Sequence, residues 1–193
     1  MTRYVYLHGF NSGFTPANPK VAALETIGEV IGVTYDTTAP LDLALKDILG
    51  QLPEDLDDVV IVGTSLGAFY AAEVSRELGL PAVLINPCID PYLSLRKYVG
   101  QVHTNYVTGE TAYFGDNALS TYMRHTLLPC HRIKPLVFVD MGDQVIPAQT
   151  TINFFAKKGL TVTAFDGGSH QFDHMGDALP QIAQYASYTS FIP

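Results

Sequence analysis

The stretch Val59-Val60-Ile61-Val62-Gly63-Thr64-Ser65-Leu66-Gly67-Ala68 decides the reading of this chain. Four apolar β-formers run into Gly-x-Ser-x-Gly, and an alanine-rich segment follows with Ala68, Ala71, Ala72, Val74 and Leu78 at helical spacing. A buried strand that turns sharply into a helix puts Ser65 at the tip of the turn, in a strained backbone conformation. Gly63 and Gly67 carry no Cβ, so the surrounding backbone can close tightly on the turn. The first N–H groups of the following helix then point toward the serine, where they favour developing negative charge. The pentapeptide alone occurs by chance. Between an apolar strand and a helix it is specific, and the bland reading, a glycine-rich βα turn with a bystander serine, is the weaker one.

Working outward, short apolar runs alternate with helical patterns. Candidate strands are Arg3–Leu7, Val30–Tyr35, Asp58–Gly63, Ala82–Asn86, Leu136–Asp140 and Thr161–Phe165, mostly apolar on both faces, as in a sheet covered on both sides. Candidate helices are Pro19–Ile27, Leu41–Leu49, Leu66–Leu78, Ala148–Lys157 and Leu179–Ser190. Repeated βα units predict a mostly parallel, doubly wound α/β sheet with helices on both faces. One interval breaks the rhythm. Cys88 to Lys134 is far longer than a βαβ connection needs and is punctuated by proline and glycine. It reads as a small, mostly helical cap-like insertion over the sheet edge, within a single domain spanning residues 1–193.

The chain has a formal net charge of −8, which argues against nucleic acid as a partner. Within the insertion the balance reverses. Arg96, Lys97, Arg124, Arg132 and Lys134 outweigh Asp90, Glu110 and Asp116, leaving +2 there and −10 elsewhere. This is either ordinary surface charge or a segment that handles an anionic part of a substrate. The apolar runs are strand-sized, too short to span a membrane, and the N-terminal run meets His8-Gly9 before it could form the apolar region of a signal peptide. A cytoplasmic location is therefore expected, and with it free thiols at Cys88 and Cys130.

Ser65 needs a base. His170 has the best context of the six histidines, in the loop Asp166-Gly167-Gly168-Ser169-His170 directly after the last candidate strand. The orienting acid should follow another strand end, where Asp140 and Asp143 are available. Asp143 lies past the strand in a Gly-Asp turn and is favoured. The chain order Ser65, Asp143, His170 is that of α/β-hydrolases. Oxyanion donors are expected from the N–H of Leu66, after the nucleophile, and of Phe10, in the loop after the first strand, with Gly9 allowing the turn and His8 bracing it. A base that must be neutral predicts that activity falls below about pH 6.5 to 7.

The segments Tyr6-Leu7-His8-Gly9-Phe10-Asn11-Ser12, Gly63-Thr64-Ser65-Leu66-Gly67, Asn86-Pro87, Gly142-Asp143 and Gly167-Gly168-Ser169-His170-Gln171-Phe172 resemble the YqiA-type esterases, small bacterial α/β-hydrolases, in order and spacing along nearly the whole chain. The sequence departs from that pattern at Thr64, at Ala68 and in the detail of 88–134. The resemblance implies an α/β-hydrolase fold and cytoplasmic carboxylesterase or thioesterase activity on short acyl esters, or on acyl-CoA, and it places the triad at Ser65, Asp143 and His170. No cofactor or metal is implied. His170 and His174 stand four apart, as on a metal-binding helix, but the glycine loop and the lack of a third ligand count against that reading. The alternatives are a non-catalytic binding protein on a hydrolase fold, or a serine hydrolase acting on an amide or lactone.

Overall fold

The computed structural model describes residues 1–189. In chain order the elements are β1 (Arg3–Leu7), α1 (Pro19–Leu24), β2 (Glu29–Gly32), α2 (Leu41–Leu49), β3 (Val59–Thr64), α3 (Leu66–Leu78), β4 (Ala82–Ile85), α4 (Pro91–Leu95), a 3-10 turn (Arg96–Tyr98), β5 (Gln101–Thr104), β6 (Thr111–Phe114), α5 (Asp116–Thr121), β7 (Leu136–Asp140), α6 (Ala148–Ala156), β8 (Thr163–Phe165) and α7 (Met175–Thr189). Six strands form one parallel sheet in the order β2-β1-β3-β4-β7-β8.

Alternation along each strand separates two cores. Val5, Leu7, Ile61 and Leu84 face α2, α3 and the insertion, while Tyr4, Tyr6, Val60, Val62, Val83, Ile85 and Phe138 face α1 and α7. This two-sided burial is why the strands read as continuous apolar runs. Because the strands are parallel, all their carboxyl ends lie at one edge, and the loops that follow them converge there.

Some boundaries differ from the sequence reading. β2 ends at Gly32 rather than Tyr35, because the Gln51 side chain takes both the N–H and the carbonyl of Thr34. β8 begins at Thr163 rather than Thr161, pairing only with the end of β7. α7 begins at Met175, before the expected Leu179, and carries Pro180 inside it. The expected end of that helix, Ser190, lies outside the described residues. The insertion contains two short helices and, in addition, an antiparallel hairpin, β5–β6, where a mostly helical segment was expected. Its apolar residues Leu95, Phe114, Leu119, Tyr122 and Leu127 join the larger core cluster. Cys88 and Cys130 are buried free thiols. No helix of the described residues is long and apolar enough to cross a membrane.

Candidate active site

Ser65 sits between β3 and α3 with φ 57° and ψ −120°, a conformation that costs a side-chain-bearing residue of order 1–3 kcal/mol. The turn is held by its neighbours. The Ser65 N–H donates to the Ile85 carbonyl at 3.0 Å, and its own carbonyl accepts from Cys88 N at 3.0 Å. The flanking glycines are required by close approach. A Cβ on Gly63 would lie 2.2 Å from the Gly67 carbonyl oxygen, and one on Gly67 would lie 2.2 Å from that of Leu7. The elbow is thus locked against both β1 and its own helix.

The Ser65 hydroxyl lies 3.0 Å from Nε2 of His170. On the other side of the ring, Nδ1 lies 2.7 Å from Oδ2 of Asp143. A carboxylate only accepts, so Nδ1 carries the proton and leaves Nε2 as an acceptor for the serine hydroxyl. The Asp143 side chain is almost fully enclosed, and its other oxygen accepts from the N–H groups of Val145 and Ile146 at 2.8 Å each. Residues 105 positions apart in the chain are thereby joined in one hydrogen-bonded line.

Gly9 brings the loop after β1 against the serine, its hypothetical Cβ only 3.3 Å from Ser65 Cβ. The N–H groups of Phe10 and Leu66 donate to no other group among the described residues. His8 is buried beneath this loop. Its ring stacks on Tyr35 with centroids 4.1 Å apart, its Nδ1–H donates to the Gly9 carbonyl at 3.1 Å, and its backbone carbonyl accepts from the Tyr35 hydroxyl. Burial pushes its pKa down to about 4, so it is neutral, and its Nε2 has no partner among the described residues. The elbow, the first loop, the insertion and the His170 loop enclose a cavity of about 420 Å³, a size that takes a small molecule.

The profile described as Uncharacterised protein family (UPF0227) matches residues 3–187. The chain belongs to the UPF0227 family. UPF0227 corresponds to the YqiA-type esterase family, so the resemblance carried by the motifs holds. A UPF0227 protein of Shewanella sediminis is 33% identical over 184 residues, covering 92% of this chain and 96% of that one. Another, from Shewanella oneidensis, is 33% identical over 186 residues, covering 93% and 97%. Among solved structures, Est1E from Butyrivibrio proteoclasticus with ferulic acid bound superposes with a TM-score of 0.74 at 13% identity, over 100% of this chain and 90% of that one. A monoacylglycerol lipase from Paleococcus ferrophilus gives 0.64 at 16% identity, over 96% and 94%. The fold is that of the α/β-hydrolases.

The UPF0227 chain also holds site residues that sequence reasoning did not assign. Asp140, which has no exposed surface, accepts from the N–H groups of Ser169 and Asp173 at 3.1 and 2.7 Å and from Nδ1 of His174 at 2.7 Å. Asn86 donates to the carbonyls of Ser169 and His170 and accepts from the Asp140 N–H. Together they clamp the loop that presents His170. The pair Asn86-Pro87 was visible as a motif but carried no spacing that named its partner. His170 and His174 each bond a different carboxylate, Asp143 and Asp140 respectively. Among the aromatic residues, Tyr6, Phe10, Tyr98 and Tyr106 line the cavity, while Tyr70 and Phe114 are core and Tyr113 is exposed.

Proposed function

We propose that this protein is a serine hydrolase that cleaves short acyl esters or thioesters through an acyl-enzyme. The observation that carries the reading is the unbroken line Ser65 Oγ, His170 Nε2, His170 Nδ1, Asp143 Oδ2, with steps of 3.0 and 2.7 Å. It lies in a cavity at the carboxyl edge of the sheet. The fold shared with the monoacylglycerol lipase, an ester-cleaving enzyme by name, supports the same class of reaction.

In the proposed cycle Ser65 Oγ attacks the acyl carbonyl as its proton passes to His170 Nε2, and Asp143 stabilises the resulting imidazolium. The N–H groups of Phe10 and Leu66 receive the oxyanion. The alcohol or thiol leaves with the proton from His170. Water, deprotonated by the same nitrogen, then releases the acid and restores Ser65. His8, Gly9, Gly63 and Gly67 support this arrangement.

The test is reaction with a fluorophosphonate probe followed by peptide mapping, alongside a panel of aryl esters, acyl-CoAs and aryl amides. The expected result is a single adduct on Ser65 and turnover of esters or thioesters that Ser65→Ala and His170→Ala each reduce by orders of magnitude in kcat while the fold is retained. Absence of both labelling and turnover would leave a binding protein on a hydrolase fold. Turnover confined to amides would change the substrate class.

A further inference from the structure

Lys20 is a buried charge that the proposed chemistry does not use. It lies on the first turn of α1, is 5% exposed, and lines the same cavity as Ser65 and His170. Its ammonium has three donors. One goes to the Gln171 carbonyl at 2.7 Å, and among the described residues no carboxylate stands within ion-pair distance of it. Burial lowers its pKa, against a weaker opposing pull from the exposed Asp173. A cation enclosed without a counter-ion is costly, so its retention calls for an anion brought from outside.

The rest of the cavity agrees. The chain carries a net charge of −8, yet neither Asp nor Glu lines this space, and a second lysine, Lys97, does. Around Lys20 the wall is polar, with the Tyr6 hydroxyl 3.3 Å from Thr64 Oγ1 and Asn18 Oδ1 accepting the Lys20 N–H. Elsewhere the lining is apolar, from Phe10, Leu66, Leu95 and Ile146. A single enclosed ammonium among neutral polar groups matches one negative charge, such as a carboxylate, better than a dianionic phosphate.

We infer that the substrate is a short ester or thioester bearing a free carboxylate, as in a half-ester of a dicarboxylic acid, and that Lys20 holds that carboxylate beside Ser65. This rests on the serine-hydrolase reading.

The experiment compares matched pairs: mono(4-nitrophenyl) glutarate against 4-nitrophenyl valerate for a carboxylate on the acyl side, and 3-carboxyphenyl butyrate against phenyl butyrate for one on the leaving side. The expected result is a preference in kcat/KM for the acid member of one pair of about tenfold or more, the usual worth of a hydrogen bond to a charged group. Lys20→Met and Lys20→Gln should both abolish the preference while changing the neutral member less than about threefold, and Lys20→Arg should keep part of it. Lys20→Gln retains a donor for the Gln171 carbonyl, so it separates loss of charge from loss of the brace. On the unaltered protein, glutarate but not glutaramide should protect Ser65 from the fluorophosphonate. No preference in either pair, or an equal fall for both members of a pair, overturns the inference, as does equal protection by glutarate and glutaramide. Absence of all turnover and labelling would instead sink the hydrolase reading itself.

Discussion

Asp140 and Asp143 are three residues apart, both buried, and the fold gives each its own histidine. Their substitutions should separate. Asp143→Asn is expected to lower kcat by roughly 10³ to 10⁴-fold with little change in melting temperature, because its effect falls on the tautomer of His170. Asp140→Asn should cost about 2 kcal/mol of stability in urea denaturation, since a fully enclosed carboxylate with three donors loses its charge. Two other histidines tie stability to pH in opposite senses. His8 has its folded pKa depressed to about 4 by burial, so the unfolded chain binds its proton first and stability is lost as pH falls from about 6.5 toward 4. Urea midpoints should register about 2 kcal/mol of loss from this group between pH 7 and pH 5, and His8→Phe should lack that component. His174 has its pKa raised, chiefly by the hydrogen bond it donates to Asp140, so its contribution is complete below about 6.5 and lost as pH climbs through the raised value. The stability deficit of His174→Gln should therefore be larger at pH 6 than at pH 8.5. Ser65, His170 and Asp143 were legible in the sequence because each sits in a strand-end loop whose composition announces a sharp turn. Asn86, the Asp140–His174 pair and Lys20 were not, because their roles depend on which loop lies across from them, and no local pattern encodes that.

At the scale of elements, α3 and the insertion are joined inside the core by a hydrogen bond between the hydroxyls of Tyr70 and Tyr122, both buried. Removing one partner strands the other. Tyr70→Phe and Tyr122→Phe should each cost about 1–3 kcal/mol, while the double variant should cost less than the sum of the two, measured as a double-mutant cycle by chemical denaturation. The strands β1, β3, β4 and β7 and the helices α2, α3 and α6 could be read nearly to the residue, because burial on both faces writes itself as apolar runs between turn signals, whereas the half-exposed edge strands β2 and β8 were read too long. The hairpin could not. Gln101–Thr104 and Thr111–Phe114 are four residues each, largely exposed, and held by Asn105, whose side chain accepts from Val107 N and Thr108 N within the connecting loop. Such a strand pair presents no apolar alternation to detect. Nor was the start of α7 visible, because Pro180 suggests a first turn where the structure has a second.

For the whole molecule, the insertion shares its core with the sheet rather than owning one. Unfolding should therefore be a single transition, with loss of the proposed hydrolytic turnover, near-UV circular dichroism and far-UV circular dichroism coinciding along a urea titration. A separate early loss of near-UV signal would mean that the insertion melts alone. The overall fold was legible because chain order, sheet alternation and the elbow agree with one another. The enclosure above the site was foreseen as a segment but not as a shape, since its attachments are made by side chains to distant backbone. Those attachments have a further consequence. Asn11 Nδ2 donates to the Thr104 carbonyl, the Asn11 carbonyl accepts from Tyr106 N, and Asn105 Nδ2 donates to the Ser12 carbonyl. The chain that bears the Phe10 N–H is thus buttoned to the hairpin one residue further on. A guest too bulky for the chamber would have to shoulder the hairpin aside, and in doing so would drag that donor out of register. The protein would then reject oversized molecules by disarming itself in their presence, not merely by shutting them out.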